Sequence, residues 1–299
     1  MTQFLQLFAS GLSLGVVYAL LALGFVLVFR ASGVVNFAHP ALVVLGAYAT
    51  ARLASSGRLP FALAVLGGVG VSALAALAVQ RLLVQPMRGG SVIAVSILTL
   101  GVNLVIQTEI VRRLGVEATL AVRDPWRDRV VHLAGLTVPQ TRVAALVVGA
   151  GLIAAFFAWF RFSNWGLAMR AVADDPTTAA LMGVRRTGVS AVSWTLAGAL
   201  AAVGGLFITV FPTPGVQPTT ASVALHAFPA AIIGGLDSTG GAVLGGLVVG
   251  VAEVLTQGYP DQLSFLGQGF HDVMPYAVMV VVLLIRPAGL FGSREVHRV

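Results

Sequence analysis

A handful of polar side chains interrupt an otherwise apolar chain at places where they could do chemistry. Asn36 and His39 lie in Gly33-Val34-Val35-Asn36-Phe37-Ala38-His39-Pro40, and His226 lies in Ala224-Leu225-His226-Ala227-Phe228-Pro229. Glu253 lies in Gly250-Val251-Ala252-Glu253, and Asn103, Gln107 and Glu109 share one apolar segment. A buried carboxylate must pair with a basic or amide group or take up a proton, and a histidine beside it could relay one. The same residues equally suit hydrogen bonds that hold helices together. No nucleophile stands beside either histidine, no Gly-x-Ser-x-Gly, His-Glu-x-x-His or Walker-type motif occurs, and lysine is absent. We therefore expect no catalytic residue, no metal site and no cofactor bound by this chain.

The elements that must position these residues are membrane helices. The chain is 58% hydrophobic and 10% charged over 299 residues, with a mean hydropathy of +0.94, a composition that excludes an ordinary soluble domain. Cysteine is absent, and the net charge of +7 is scattered as arginine at segment ends, which argues for contact with membrane lipid and against nucleic acid. Apolar segments at 5–29, 33–53, 60–84, 91–113, 142–161, 187–211, 222–236, 240–257 and 270–286 predict an all-α polytopic bundle of eight or nine spans. Pro40 and Pro229 predict interruptions in the second and seventh segments. Asn36 and His39 there either cap a helix or line a cavity, and His226 is either a structural hydrogen-bonding group or a path group. Segments six to eight repeat the order of segments one to three in the opposite sense, the pattern of an inverted repeat around a transport path. Gly11 with Gly15, Gly241 with Gly245 and Gly246 with Gly250 predict close helix crossings, while Asn103 and Gln107 are expected to bond between helices and Glu253 to be a buried structural polar group.

Between the fifth and sixth segments, residues 162–186 are too polar to cross a bilayer and carry helix punctuation. Asp175 suits an N-cap, Pro176 the first helical position and Gly183 the residue just past the end, predicting a helix of about two turns held against something else. Alternation puts this stretch on the same side as Arg30, Arg81, Arg88 and the tail arginines Arg286, Arg294 and Arg298. The positive-inside rule makes that side cytoplasmic, with the N-terminus outside and the C-terminus inside.

Almost end to end, the chain resembles the LivH-type membrane subunit of the ATP-binding-cassette importers for branched-chain amino acids. The resemblance rests on Gly15–Gly24 leading to Asn36-Phe37-Ala38-His39, on Arg170–Asp175 followed by Ala180–Val184, on Ala231–Leu236 with the glycines after it, on Gly250–Glu253, and on Arg286-Pro287-Ala288-Gly289-Leu290-Phe291-Gly292. Pro40 departs from the family's usual glycine, and Asp174-Asp175 from its common Glu-Asp. The resemblance implies a single permease domain over 1–299, with a first half near 1–114 and a second near 187–299. It implies as partners a second related permease, two cytoplasmic ATPases carrying ATP and magnesium, and an extracytoplasmic solute-binding protein, all at a bacterial inner membrane. Asp174, Asp175, Pro176, Thr177, Ala179, Ala180, Leu181, Met182 and Gly183 would then couple to the ATPase, and Asn36, His39 and His226 would lie nearest the translocation path. Relatives with the same motifs serve urea, short amides and other amino acids. A channel that needs no ATP is the rival of another class.

Overall fold

In the computed structural model, residues 2–55, 59–87, 90–115, 119–122, 124–126, 129–133, 136–212, 214–263, 267 and 269–292 are described. The chain runs through α1 (Thr2–Ser32), α2 (His39–Ser55), α3 (Phe61–Ala78) with a π-helical turn at Val79–Val84, and α4 (Val92–Leu114). It continues through β1 (Val130–Leu133), β2 (Leu136–Pro139), α5 (Gln140–Phe162), α6 (Asn164–Asp174) and α7 (Pro176–Leu181). The last part is α8 (Arg186–Ile208), α9 (Thr220–Leu225), α10 (Ala227–Gly234), α11 (Thr239–Gly258) and α12 (Phe270–Ile285). Among the described residues, six helices are long and apolar enough to cross a membrane: α1, α3 with its π-helical turn, α4, α5, α8 and α11. The shorter apolar helices α9 with α10, and α12, fall at the seventh and ninth predicted segments. The bundle is helical apart from one feature that the all-α reading missed, the antiparallel hairpin β1–β2, in which Val130 pairs with Pro139 and Val131 with Val138.

Helix α1 is the axis of the bundle, with 89% of its most apolar stretch buried against 17% for α4 and 22% for α5. It crosses α11 at the predicted glycines. A Cβ built on Gly250 would lie 2.3 Å from the Cα of Gly15, and one on Gly246 would lie 2.5 Å from the Cα of Ala19. The crossing of α3 with α8 is built the same way, since a Cβ on Gly198 would lie 2.6 Å from the Ser72 carbonyl oxygen. In lipid, association gains little from the hydrophobic effect, so this backbone approach supplies the dispersion contact that holds helices together.

The two ends of the bundle differ. At one, the last turn of α1, the joint between α6 and α7, the first residue of α8, the α10–α11 turn and the end of α12 surround a common cavity, bringing Arg30, Asp174, Arg186 and Asp237 together. We call this the charged end; the π-helical turn after α3 reaches it too, because Gln80 and Gln85 border a second cavity with Ser32 and Arg186. At the other end the Gln3 side-chain amide donates to the Gly258 carbonyl at 3.4 Å. There too Leu120 and Val216 exchange backbone hydrogen bonds of 3.1 and 2.9 Å.

Candidate functional site: the α1 path and the charged end

The start of α2 lies inside the bundle. Asn36 Oδ1 accepts from the Ala38 amide at 3.0 Å, the Phe37 amide donates to Thr99 Oγ1 of α4 at 3.0 Å, and the helix opens at His39. Pro40 sits in the first turn, where no intrahelical partner for its nitrogen is needed. It therefore starts the helix. The His39 ring lies on Gly24, whose Cβ position would be 2.4 Å from Cε1. At a rise of about 1.5 Å per residue, that contact is roughly 12 Å down α1 from Ser32. Asn36 thus caps the chain locally, and it does so within the bundle and not at its rim.

His39 and Asn36 are buried, and the Asn36 Nδ2 and both His39 ring nitrogens have no hydrogen-bond partner among the described residues. The Leu21 carbonyl lies beside the His39 ring without completing a hydrogen bond. Phe25 covers the ring, with centroids 4.5 Å apart. Phe25 also meets Phe228 at 5.4 Å, and Phe228 meets Phe37 at 5.8 Å. An aromatic cluster thereby closes the space between α1, the entry to α2 and the entry to α10.

The chain breaks again at His226, between α9 and α10. The His226 Nδ1 is 3.2 Å from Glu253 Oε2, and the Tyr18 hydroxyl donates to the same carboxylate at 3.0 Å and lies 3.4 Å from His226 Nδ1. All three side chains are buried. This is the partner that Glu253 requires as a buried carboxylate. Tyr18 escaped the sequence reading, although a lone tyrosine in the middle of a long apolar helix is itself a signal that its hydroxyl has a buried partner. Tyr276 of α12 packs its ring edge against His226 at 5.9 Å. His226 and His39 do not touch; the first stands at Tyr18 and the second one to two turns further along α1, at Gly24 and Phe25.

Asn103 and Gln107 do not join this group. The Gln107 amide donates to Asn103 Oδ1 at 2.9 Å within α4 itself, and both side chains are only half-buried. The expected bond between helices is therefore a bond within one, and of the three expected interior polar residues Glu253 alone is buried. Glu109 also looks outward, pairing with Arg112 at 2.8 Å and Arg113 at 2.6 Å.

At the charged end, α7 has the predicted punctuation. Asp175 Oδ1 accepts from the amides of Thr177 at 2.8 Å and Thr178 at 3.1 Å, and its Oδ2 accepts from the Thr178 hydroxyl at 2.5 Å. These three donors, the hydroxyl first, hold the Asp175 carboxyl below the usual aspartate range. Pro176 opens the helix, and Gly183 turns the chain with φ +86°, which lets Val184 donate back to Ala179 at 3.0 Å. Ala179 is buried against the bundle, whereas Leu181 is 84% and Met182 81% exposed. The outward apolar surface is thus Leu181 and Met182, beside the exposed Ala180, and Ala179 belongs to the inner face. Behind it α6 is capped by Ser163, whose hydroxyl accepts from Gly166 at 3.0 Å, and Arg170 donates to the Phe160 carbonyl at 3.2 Å.

A multi-pass helical bundle with one helix that begins inside it, another segment broken at His226, and a short capped helix presented at one end, is the architecture of a membrane permease. Residues 7–283 match the family described as the permease component of the branched-chain amino acid transport system, and the chain belongs to that family. The high-affinity branched-chain amino acid transport system permease protein LivH of Escherichia coli K12 is 29% identical over 309 residues, covering 99% of this chain and 98% of the relative. The corresponding protein BraD of Pseudomonas aeruginosa is 27% identical over 313 residues, again covering 99% and 98%. The chain is accordingly a multi-pass membrane permease, not an enzyme, and works with other components of an importer.

Proposed function

We propose that this chain is one of two related permease subunits of an ATP-binding-cassette importer, forming the path for branched-chain amino acids handed over by an extracytoplasmic binding protein and driven by two cytoplasmic ATPases. ATP and magnesium would reside on those ATPases. The observation that carries the coupling role is α7. A six-residue helix is marginal alone, yet this one is capped at both ends and spends that order on holding Leu181 and Met182 out into solvent. An apolar pair so presented suits a cleft on a partner that must push on the bundle.

Nine crossings fit the way the chain alternates between the two bundle ends, with α2 and the broken α9–α10 pair as short ones. With the charged end inside the cell, the arginines at 30, 161, 170, 185, 186 and 286 lie on the cytoplasmic side. The packing supports an inverted repeat of α1–α4 and α8–α12. Helix α1 packs on α11 and α10 as α8 packs on α3 and α2; likewise α10 pairs with α11 and α12 where α2 pairs with α3 and α4. The start of α2 and the break at His226 meet α1 between Tyr18 and Phe25, so the solute passes along that stretch, by Asn36, His39 and His226, with the Phe25, Phe37 and Phe228 cluster as the closed gate.

Leu181→Asp with Met182→Asp tests the coupling role in the assembled importer. Uptake should fall at least tenfold while the subunit still enters the membrane and melts within about 2 °C of the parent, because both side chains are exposed and exposed substitutions cost little. Undiminished uptake would remove α7 from coupling. Uptake of leucine by this chain without any ATPase would favour a channel.

A further inference from the structure

The cavity at the charged end, about 840 Å³, has a lining that the coupling role alone leaves unexplained. Its wall carries Arg30, Arg186, Asp174 and Asp237, set among Phe29, Val172, Ile232 and other apolar side chains. The Arg30 Nε is buried without a hydrogen-bond partner among the described residues, and its guanidinium carbon lies 6.0 Å from the Phe160 ring centroid. A site for an anion would be lined by cations, and one for a cation by carboxylates. Charges of both signs among apolar side chains suit a zwitterion with an aliphatic tail, and the volume falls in the range of ligand pockets, about 300–1,000 Å³. We infer that this cavity is a second binding site for an aliphatic amino acid on the cytoplasmic side, with Arg30 taking the carboxylate and Asp174 the ammonium group.

The inference rests on the functional reading above for the side of the membrane and the substrate class. Its consequence follows from the cavity wall. Asp174 ends α6 and Pro176 begins α7, so an amino acid seated there bears directly on the joint that α7 must move. Filling the site from the cytoplasmic side resists that movement and slows transport when the product has accumulated.

The test uses the complete importer in liposomes with ATP inside and the binding protein outside, following the initial rate of labelled leucine entry. The lumen is loaded with L-leucine, with 3-methylbutylamine, which lacks the carboxylate, or with 4-methylpentanoate, which lacks the ammonium group. Luminal L-leucine at millimolar concentration should slow entry several-fold and the two single-charge compounds should not. Arg30→Gln should raise the half-inhibitory leucine concentration about tenfold, each rate being taken relative to that variant's own uninhibited rate. Should Arg30→Gln fail to assemble, Asp174→Asn and the three-compound series still decide. Entry unaffected by luminal leucine, equal slowing by all three compounds, or an unchanged half-inhibitory concentration in both variants would overturn the inference. Absence of any leucine entry would instead overturn the functional reading, and this site with it.

Discussion

Replacing Gly250 by alanine is the sharpest perturbation of the helix crossing on which the site is built. Its Cβ would stand 2.3 Å from both the Cα and the amide nitrogen of Gly15 and 2.9 Å from the Leu14 carbonyl carbon, whereas ordinary contact begins near 3.4 Å. The obstacles are backbone, so no side chain can swing away and α1 and α11 must part by roughly 1 Å locally. A gap of about that size forfeits a quarter to a half of each dispersion contact, and overpacking of this kind costs about 1–3 kcal/mol. The damage also reaches the polar cluster. Tyr18 is three residues beyond Gly15 on α1 and Glu253 three beyond Gly250 on α11, so their 3.0 Å bonds stretch to about 4 Å, past the hydrogen-bonding range. Gly151→Ala is the control, a glycine inside α5 with no atom within 4 Å of its Cβ position, where alanine should be neutral or gain up to about 1 kcal/mol. Thermal unfolding in detergent should shift down for Gly250→Ala and stay or rise for Gly151→Ala, and only Gly250→Ala should lose uptake in the assembled importer. Shifts of the same sign and size would refute the claim that backbone approach at this crossing holds the fold.

Other expectations follow from the same geometry. Tyr18→Phe should lower stability by only about 0.6–1.7 kcal/mol, the range for side-chain hydrogen bonds between membrane helices, as read from the melting temperature. Glu253→Ala should cost more, because it leaves both His226 and the Tyr18 hydroxyl buried without their acceptor at about 1–3 kcal/mol each, and Glu253→Gln should recover part of that loss. Since its donors hold Asp175 below the usual aspartate range, the cap is intact at neutral pH and is lost only as the pH falls through that depressed value. Hydrogen exchange at Thr177 and Thr178 should therefore be protected down to strongly acid pH, and Asp175→Ala should speed it several-fold at neutral pH without moving global unfolding.

What the sequence disclosed was what local rules govern. The limits of α7 were legible because Asp175, Pro176 and Gly183 each act on backbone groups within a few residues. The Gly15–Gly250 crossing was legible because glycines four apart mark a helix face without naming its partner. The identity of partners was the hidden part. Tyr18 and Glu253 are 235 residues apart, and nothing in either neighbourhood points to the other. Asn103 and Gln107 misled for the opposite reason, since spacing of four satisfied them on their own helix before any neighbour was needed. The hairpin was missed because Val130–Leu133 and Leu136–Pro139 are four residues each, too short to stand out, although β-branched runs two residues apart are a hairpin signal.

The two interior histidines are treated differently, and the difference carries a prediction about which conformation this is. His226 is tied to Glu253 at 3.2 Å, whereas His39 is buried with neither ring nitrogen completing a hydrogen bond among the described residues. A buried polar group left unpaired costs about 1–3 kcal/mol. The arrangement around Phe25, closed on the proposed reading, therefore carries a penalty that is relieved in any arrangement offering His39 a partner, whether a solute carboxylate or a backbone group exposed by a conformational change. A ligand shifts a conformational equilibrium only by its differential affinity for the two states, and an unpaired imidazole on the proposed path is a direct source of such a difference. His39→Phe removes the penalty while keeping a flat ring against Gly24 and Phe25. It should raise the melting temperature and at the same time cut uptake, because the closed state gains what the open state then lacks. If His39→Phe instead lowered the melting temperature by as much as Glu253→Ala, His39 would be paired in this state as securely as His226, and the energetic bias toward opening would have to arise elsewhere.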